Sequence, residues 1–188
     1  LILTLILCVN EISAQEIRSH EIGKIWETMF PTGIISTTSA APFRNQVSYP
    51  GGDFLTQTSK NMNGMGQWVG VTNWADTLNT IHGWFVSEGG FENDEARGQV
   101  FFLPKKNKKK VRNRLPLVNV NETPEDRLLD GRSHSTKSST IPADEMIETT
   151  WATNVGVQVK MQSYAYANQN HNSYIIRSYT FTNNGNVD

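Results

Sequence analysis

Cysteine is nearly absent from this chain of 188 residues, and its one cysteine, Cys8, lies in an apolar run over residues 1–9. If that run is a discarded leader, neither disulfides nor thiolate metal sites can stabilise the remaining protein. An excess of one charge is also missing, because 17 basic residues stand against 18 acidic ones. This balance argues against a chain built as a whole to bind nucleic acid.

Strong helix formers are scarce, and their place is taken by 18 Asn and 18 Thr, about a fifth of the chain. Asn favours turns and Thr favours strands and turns, so a helical bundle or coiled coil is disfavoured. Aromatic residues make up 10% of the sequence, which is enough to build a core and argues against disorder. The composition therefore predicts an all-β, antiparallel and sandwich-like fold.

The apolar run at the N-terminus is too short to cross a membrane, which takes roughly 20 residues as a helix. Its length suits the hydrophobic region of a secretory signal, with cleavage after Ala14 or, as second choice, Gln15. A buried N-terminal strand is the alternative, and lipidation of Cys8 is disfavoured because Leu7 is not small. We therefore expect an N-terminally truncated signal peptide over 1–14, a secreted or cell-surface domain over 15–188, and no transmembrane segment.

Strand patterns recur irregularly between turn signals, and the cleanest is the period-two alternation of Val155, Val157, Val159 and Met161. The polar turn 168–173 then predicts an antiparallel hairpin with the strand 174–182. Residues 22–29 are predicted as a strand, with a helix over 16–24 as the alternative, and 130–143 as an exposed loop. Further strands are predicted at 64–72, 82–86 and 99–103. The turn 183–186 has no second arm within the chain, so we expect the final hairpin to be cut by the fragment end.

No motif of a known catalytic chemistry is present, and we expect neither enzyme activity nor a cofactor. A hydrolase acid pair, Asp53 with Asp76 or Glu88, is the weaker alternative, because carboxylate separation cannot be derived from sequence. The histidines lack the spacing of metal ligands and are interpreted as surface or turn residues, so no metal site is predicted. They are His20, His82, His134 and His171.

Three tryptophans, Trp68, Trp74 and Trp84, fall close together in the sequence. Exposed indoles could stack on sugar rings, whereas buried ones would form the core, and core packing is the more common fate of large aromatics. Trp74 is expected to be the most exposed of the three because Asn73 and Asp76 flank it.

A basic run covers residues 105–114, in which seven of ten positions are Lys or Arg. It could bind polyanions, and a solvated loop between strands is the alternative. Aromatic residues for base stacking are missing within the run, and we expect no nucleic-acid partner. The candidate polyanion-binding residues are Lys105, Lys106, Lys108, Lys109, Lys110, Arg112 and Arg114.

Several short motifs occur in a recognisable order: Gly23-Lys24-Ile25-Trp26, Tyr49-Pro50-Gly51-Gly52, Gly66-Gln67-Trp68-Val69-Gly70, residues 151–159, and residues 174–186. In this order they resemble the N-terminal region of large secreted proteins of the Bacteroidetes and related marine bacteria. Asn184 stands where that family usually has Thr. The resemblance implies immunoglobulin-like or fibronectin-like modules further along and a C-terminal type IX secretion sorting domain, and it supplies no catalytic residues.

These observations predict a non-catalytic structural or adhesive region of a secreted or cell-surface multidomain protein. Its partners would be extracellular polysaccharide or other surface proteins. The alternatives are a polysaccharide-binding module and an accessory domain of a secreted hydrolase.

Overall fold

A computed structural model describes residues 17–35, 47–49, 65–76, 78–88, 100–102, 107–113, 118–120, 123–125 and 135–184. These residues form strands and connecting turns with no helix, which confirms the all-β prediction. The strands are β1 Arg18–His20, β2 Trp26–Met29, β3 Val47–Ser48, β4 Trp68–Ala75, β5 Ile81–Glu88, β6 Val100–Phe102, β7 Lys108–Val111, β8 Val118–Val120, β9 Thr123–Glu125, β10 Ser135–Lys137, β11 Glu145–Thr153, β12 Val157–Ala165 and β13 Ile176–Asn183.

The main sheet contains six strands in the order β10-β7-β11-β12-β13, with β6 also pairing with β11. All its pairs are antiparallel except β10 with β7. The long strands β11 and β12 form a hairpin around residues 154–156, where the Thr153 hydroxyl bonds both the carbonyl and the amide of Val157. β12 and β13 form the second hairpin, as the sequence predicts.

The first sheet, in the order β1-β2-β3, packs one face against the main sheet and makes the molecule sandwich-like. His20 and Glu27 are cross-strand partners in this sheet and share the face that is turned toward the main sheet. Met29 lies two residues beyond Glu27 and therefore on the same face. Strands β4 and β5 form a separate two-stranded hairpin, and β8 and β9 form another.

The apolar core between the two sheets consists of five side chains that are each 0% exposed: Met29, Ile147, Trp151, Val159 and Met161. Val69 of the β4–β5 hairpin packs against it, so the hairpin is connected to the sandwich on one side.

Gly33 allows the chain after β2 to approach the core indole closely. A Cβ atom at this position would overlap the ring of Trp151, and its φ of +75° disfavours other residues. Glycine at residue 33 is thus required by the packing of the core.

Several sequence predictions need correction. The alternative of a helix over 16–24 is wrong for residues 17–24, which the structure describes, because β1 and a bend lie there. The loop predicted at 130–143 contains β10, which pairs with β7. The central strand β11 has no counterpart among the predicted strands, and the strand predicted from Val155 begins at Val157 because Val155 belongs to the preceding turn.

Candidate functional site

The β4–β5 hairpin holds the largest exposed aromatic surface of the described residues. Its turn is fixed by Asp76, whose Oδ1 accepts hydrogen bonds from the amides of Leu78 and Thr80, both at 2.8 Å. The other carboxylate oxygen lies 3.0 Å from Nε2 of His82. These bonds, with that to His82 the largest contribution, lower the pKa of Asp76. The turn is therefore closed by its own side chain.

The two faces of the hairpin are set by Asn73, whose φ of +52° lies in the left-handed region. Regular alternation would place Trp74 on the same side as Trp68. Instead the ring of Trp74 lies 4.3 Å from that of Phe85 and 5.6 Å from that of His82. Asn73 thus turns Trp74 to the half-buried side.

The opposite side, which we call the hairpin face, includes Trp68, Gly70, Thr72, Ile81, Trp84 and Val86, the cross-strand partner of Gly70. Trp68, Ile81 and Trp84 are 66%, 75% and 77% exposed. Trp84 is paired with Thr72, four residues from Trp68, so the two indoles are separated by roughly 13 Å along the strand. Gly70 and its cross-strand partner Val86 lie between them.

The structure thus divides the three predicted glycan-binding tryptophans. Trp68 and Trp84 are exposed on one face, and the core alternative is wrong for them. Trp74 is half-buried on the other face, so the expectation that it would be the most exposed is wrong. Glycan binding by these residues stays a prediction.

A second feature is a buried group of ionisable and hydroxyl side chains between the two sheets. We call it the buried charged cluster: His20, Glu21, Glu27, Lys109, Glu145, Ser163 and Arg177. All are buried except Arg177, which is partly buried. Besides His20 and Ser163, the cluster contains three carboxylates and two basic side chains.

Lys109 is the buried cation at the centre of the cluster. Its Nζ donates a hydrogen bond of 2.6 Å to the carbonyl oxygen of Ser19. The same nitrogen lies 3.4 Å from Oε1 of Glu145 and 4.0 Å from Oε1 of Glu21. One cation of the main sheet therefore connects β1 to β11 across the interior.

Ser163, His20 and Glu145 are connected in the order seen in hydrolytic triads. Ser163 Oγ lies 3.0 Å from His20 Nε2, and His20 Nδ1 lies 3.3 Å from Glu145 Oε2. The serine hydroxyl also donates to Glu27 Oε1 at 3.3 Å, and Glu27 pairs with Arg177. Ser163 and His20 are both 0% exposed, so no substrate reaches the hydroxyl in this conformation.

Glu145 remains ionised although it is fully enclosed. Burial raises the pKa of this carboxyl, but the attraction of Lys109, the hydrogen bond with His20 and the amide of Glu21 outweigh burial and lower it from 4.5 to about 2. The carboxylate is therefore kept ionised by its partners in the protein and not by solvent.

The basic run is a strand, not a solvated loop, over Lys108–Val111. Lys108 is exposed and Lys110 half-buried on the outer face, whereas Lys109 is 1% exposed and faces the interior. Lys109 is thus removed from any surface patch. Arg112 is exposed and donates to the carbonyl oxygen of Ile141 at 2.9 Å.

The outer face of the main sheet also carries Lys160, a cation that lies outside the basic run 105–114. Lys160 lies 2.9 Å from Glu148, whose cross-strand partner in β7 is Lys108. Desolvation opposes ionisation of Glu148, yet hydrogen bonds from Lys160 and Gln162 and the charge of Lys110 leave its pKa lowered. Lys105, Lys106 and Arg114 lie outside the described residues, as do the predicted cleavage residues Ala14 and Gln15. Polyanion binding stays a prediction.

The buried charged cluster was not predicted from the sequence, and the interpretation of His20 as a surface or turn residue is wrong because it lies in β1 and is 0% exposed. A signal for it existed in β7, where strand alternation must turn one lysine of Lys108–Val111 inward. Nothing local identifies the partners of that lysine, because Ser19, whose carbonyl oxygen accepts its hydrogen bond, lies 90 residues away.

Comparisons with protein-family models, curated proteins and solved structures give no match. Among the described residues no helix is long and apolar enough to span a membrane. In the same part of the chain no group of three or more His, Cys, Asp or Glu side chains is arranged to hold a metal ion.

Proposed function

We propose that this chain is a non-catalytic, adhesive β-module of a secreted or cell-surface multidomain protein, and that it binds extracellular polysaccharide through the hairpin face. The observation that carries the proposal is the exposure of Trp68 and Trp84 on one side of a hairpin whose other side packs toward the core. An exposed apolar surface of this kind marks an interaction site.

The exposed rings of the hairpin face suit stacking on a saccharide, and Glu88, the cross-strand partner of Trp68, borders them as one acidic residue. The described side chains of the hairpin face carry no charge. Indole rings offer a broad apolar surface to the C–H faces of sugar rings and an N–H group for their hydroxyls. The spacing of the two tryptophans suits an extended chain of several sugar units, which would pass over Gly70 and Val86.

The non-catalytic part of the proposal is supported by the burial of the one triad-like arrangement among the described residues. Ser163 is bonded to both His20 and Glu27, and none of these side chains lies at a surface. The hydrogen bonds instead connect β1 and β2 to β12, which is a structural task.

Affinity electrophoresis and calorimetry against a panel of neutral polysaccharides test the ligand. We expect Trp84→Ala and Trp68→Ala each to weaken binding about tenfold, as for an aromatic residue central to an interface. Leu78→Ser is the matched control, because Leu78 is 83% exposed on the same hairpin but lies in the turn. The proposal is wrong if the protein binds no member of the panel, or if the double variant binds as well as the unchanged protein.

Export is a separate part of the proposal, supported by the apolar run and the small residues that follow it. N-terminal sequencing of protein recovered outside the cell would then begin at Gln15, or at Glu16 for the second cleavage choice. Protein retained inside the cell with residues 1–14 attached would contradict it.

A further inference from the structure

The loop that connects β12 to β13, residues 166–174, concentrates side chains suited to polar recognition. We call it the amide loop. It carries a row of carboxamides on the surface of the molecule, interrupted by aromatic rings. Its carboxamides are Asn168, Gln169, Asn170 and Asn172, and its rings are Tyr166, His171 and Tyr174.

The backbone of the amide loop is held at several points. The amide of Ala167 donates to Asp144 Oδ2 at 2.9 Å, and the carbonyl oxygen of Asn172 accepts from the amide of Lys24 at 2.7 Å. Within the loop, the amide of His171 donates to the carbonyl oxygen of Asn168 at 2.8 Å. A loop fixed in this way loses little conformational entropy when it binds a ligand.

Gly23 allows the close contact between the β1–β2 connection and the amide loop. A Cβ at this position would lie 2.7 Å from the carbonyl oxygen of Tyr166 and 2.9 Å from that of Asn172. The connection follows directly after His20 and Glu21 of the buried charged cluster. The cluster therefore anchors the segment on which the loop rests.

The three rings form a corner. The ring centres of Tyr166, His171 and Tyr174 lie between 5.7 and 6.2 Å apart, and the planes of His171 and Tyr174 meet at 81°. Nδ1 of His171 and the hydroxyl of Tyr174 are hydrogen-bond partners. Tyr174 is 41% exposed, so part of its ring remains open to a ligand.

We propose that the amide loop is a second saccharide site, which binds a single neutral sugar unit against the exposed outer side of the corner formed by Tyr166, His171 and Tyr174. Carboxamides both donate and accept hydrogen bonds, which matches the hydroxyl groups of a sugar. Gln169 and Asn170 are exposed beside the rings and supply these bonds. Residues 166–174 themselves carry no carboxylate or ammonium group, and the Asp144 carboxylate that contacts the loop accepts the amide of Ala167.

The two sites differ in the shape of ligand that they accept. The hairpin face is an elongated strip that suits the interior of a chain, whereas the corner of the amide loop presents one exposed tyrosine ring, Tyr174, and suits a single sugar unit. The loop site does not depend on the hairpin site, because the two share no residue.

The test is a titration of the 15N-labelled full chain with neutral monosaccharides, followed by amide chemical shifts. It is carried out in a Trp68→Ala/Trp84→Ala background, so that failure of the hairpin site does not affect the result. We expect saturable shifts confined to residues around 166–174. Absence of such shifts with every sugar at its solubility limit would overturn the proposal.

Three variants identify the groups that bind. Tyr174→Ala should weaken the interaction about tenfold, and Gln169→Ala/Asn170→Ala about five- to tenfold through lost hydrogen bonds. Tyr49→Ala is the matched control, since Tyr49 is also exposed, at 48%, but lies outside the loop. If Tyr174→Ala changes the conformation of the loop, Gln169→Ala/Asn170→Ala still tests the proposal. Both of these side chains are exposed, so their removal leaves the packing of the loop unchanged. Equal affinity of that variant and the unchanged loop would contradict the proposal.

Discussion

The space between the two sheets has an apolar half and a charged half, and both are equally closed to solvent. Trp151 and Met161 in one half are 0% exposed, and so are His20 and Ser163 in the other. On each strand a polar and an apolar residue two positions apart mark the boundary, which lies at the same level on β12 and β13 and is offset by two residues on β11, where Ile147 is paired with Ser163. These pairs are Glu27 and Met29, Glu145 and Ile147, Ser163 and Met161, and Arg177 and Tyr179.

The two halves stabilise the sandwich by different physics. The apolar half gains free energy from every side chain removed from water and tolerates changes of similar volume. The charged half gains little net free energy over apolar residues, because desolvation opposes the attraction of the charges. It does, however, penalise any arrangement in which one member loses its partner. The apolar half thus supplies stability, and the charged half selects how β1 and β2 are aligned on the main sheet.

Loss of Lys109, the central cation of the charged half, should have the largest effect on the stability of the protein. Lys109→Ala leaves Glu145 and Glu21 without their buried counter-charge, and we expect the free energy of unfolding to fall by about 4 kcal/mol. Lys108→Ala removes the neighbouring exposed lysine and should change it by less than about 0.5 kcal/mol. Urea denaturation of both variants measures the difference. Equal stability of the two would show that the buried ion pairs do not stabilise the folded protein.

The apolar half should be broken by adding one carbon atom. Gly33→Ala places a methyl group against the indole of Trp151 at a positive φ, so overpacking and backbone strain together should cost about 3 kcal/mol. Gly83→Ala is the control, because a Cβ at that position has nothing within 4 Å. A similar, small effect of both substitutions in thermal denaturation would contradict the close contact.

Acid should weaken the charged half alone. The pKa of Glu145 is lowered in the folded protein from 4.5 to about 2, so its contribution is complete above pH 4.5 and is lost as the pH falls toward 2. The shift corresponds to about 3 kcal/mol. Glu145→Gln should lack this part of the pH dependence, which denaturation curves between pH 7 and 2 would detect. An unchanged pH dependence in the variant would assign the acid sensitivity to other groups.

The hairpin face should contribute least to stability although it holds two tryptophans. Trp84 is 77% exposed, so Trp84→Ala should change the free energy of unfolding by no more than about 0.5 kcal/mol. The same substitution is expected to weaken polysaccharide binding. A large loss of stability would show that Trp84 belongs to the core and not to a binding surface.

The strand pattern of the fold was largely predictable, and the main exception is instructive. β12 alternates Val157, Val159 and Met161 with polar residues, which is the signal of a strand with one buried face. β11 escapes prediction because it is the central strand, buried on both faces, and contains Glu145 and Glu148. A buried strand that contains charged residues is missed by its hydrophobic pattern when the partners of those charges lie in distant segments.

The candidate sites were predictable only in part. The sequence brings Trp68, Trp74 and Trp84 near one another, but the positive φ of Asn73 decides which of them reach the hairpin face. The amide loop was predicted as a polar turn, whereas the corner of its rings depends on Asp144 and the β1–β2 connection, which hold it in place.

The sequence by itself determined the class of fold, because Asn, Thr and alternating valines favour strands and turns at every position regardless of distant contacts. Only the tertiary structure decided which charges are buried and which tryptophans are exposed. Strand alternation fixes that neighbouring side chains point to opposite faces, but which face is covered depends on segments more than a hundred residues away. Burial in this protein is therefore a property of sheet packing, and local sequence alone does not contain it.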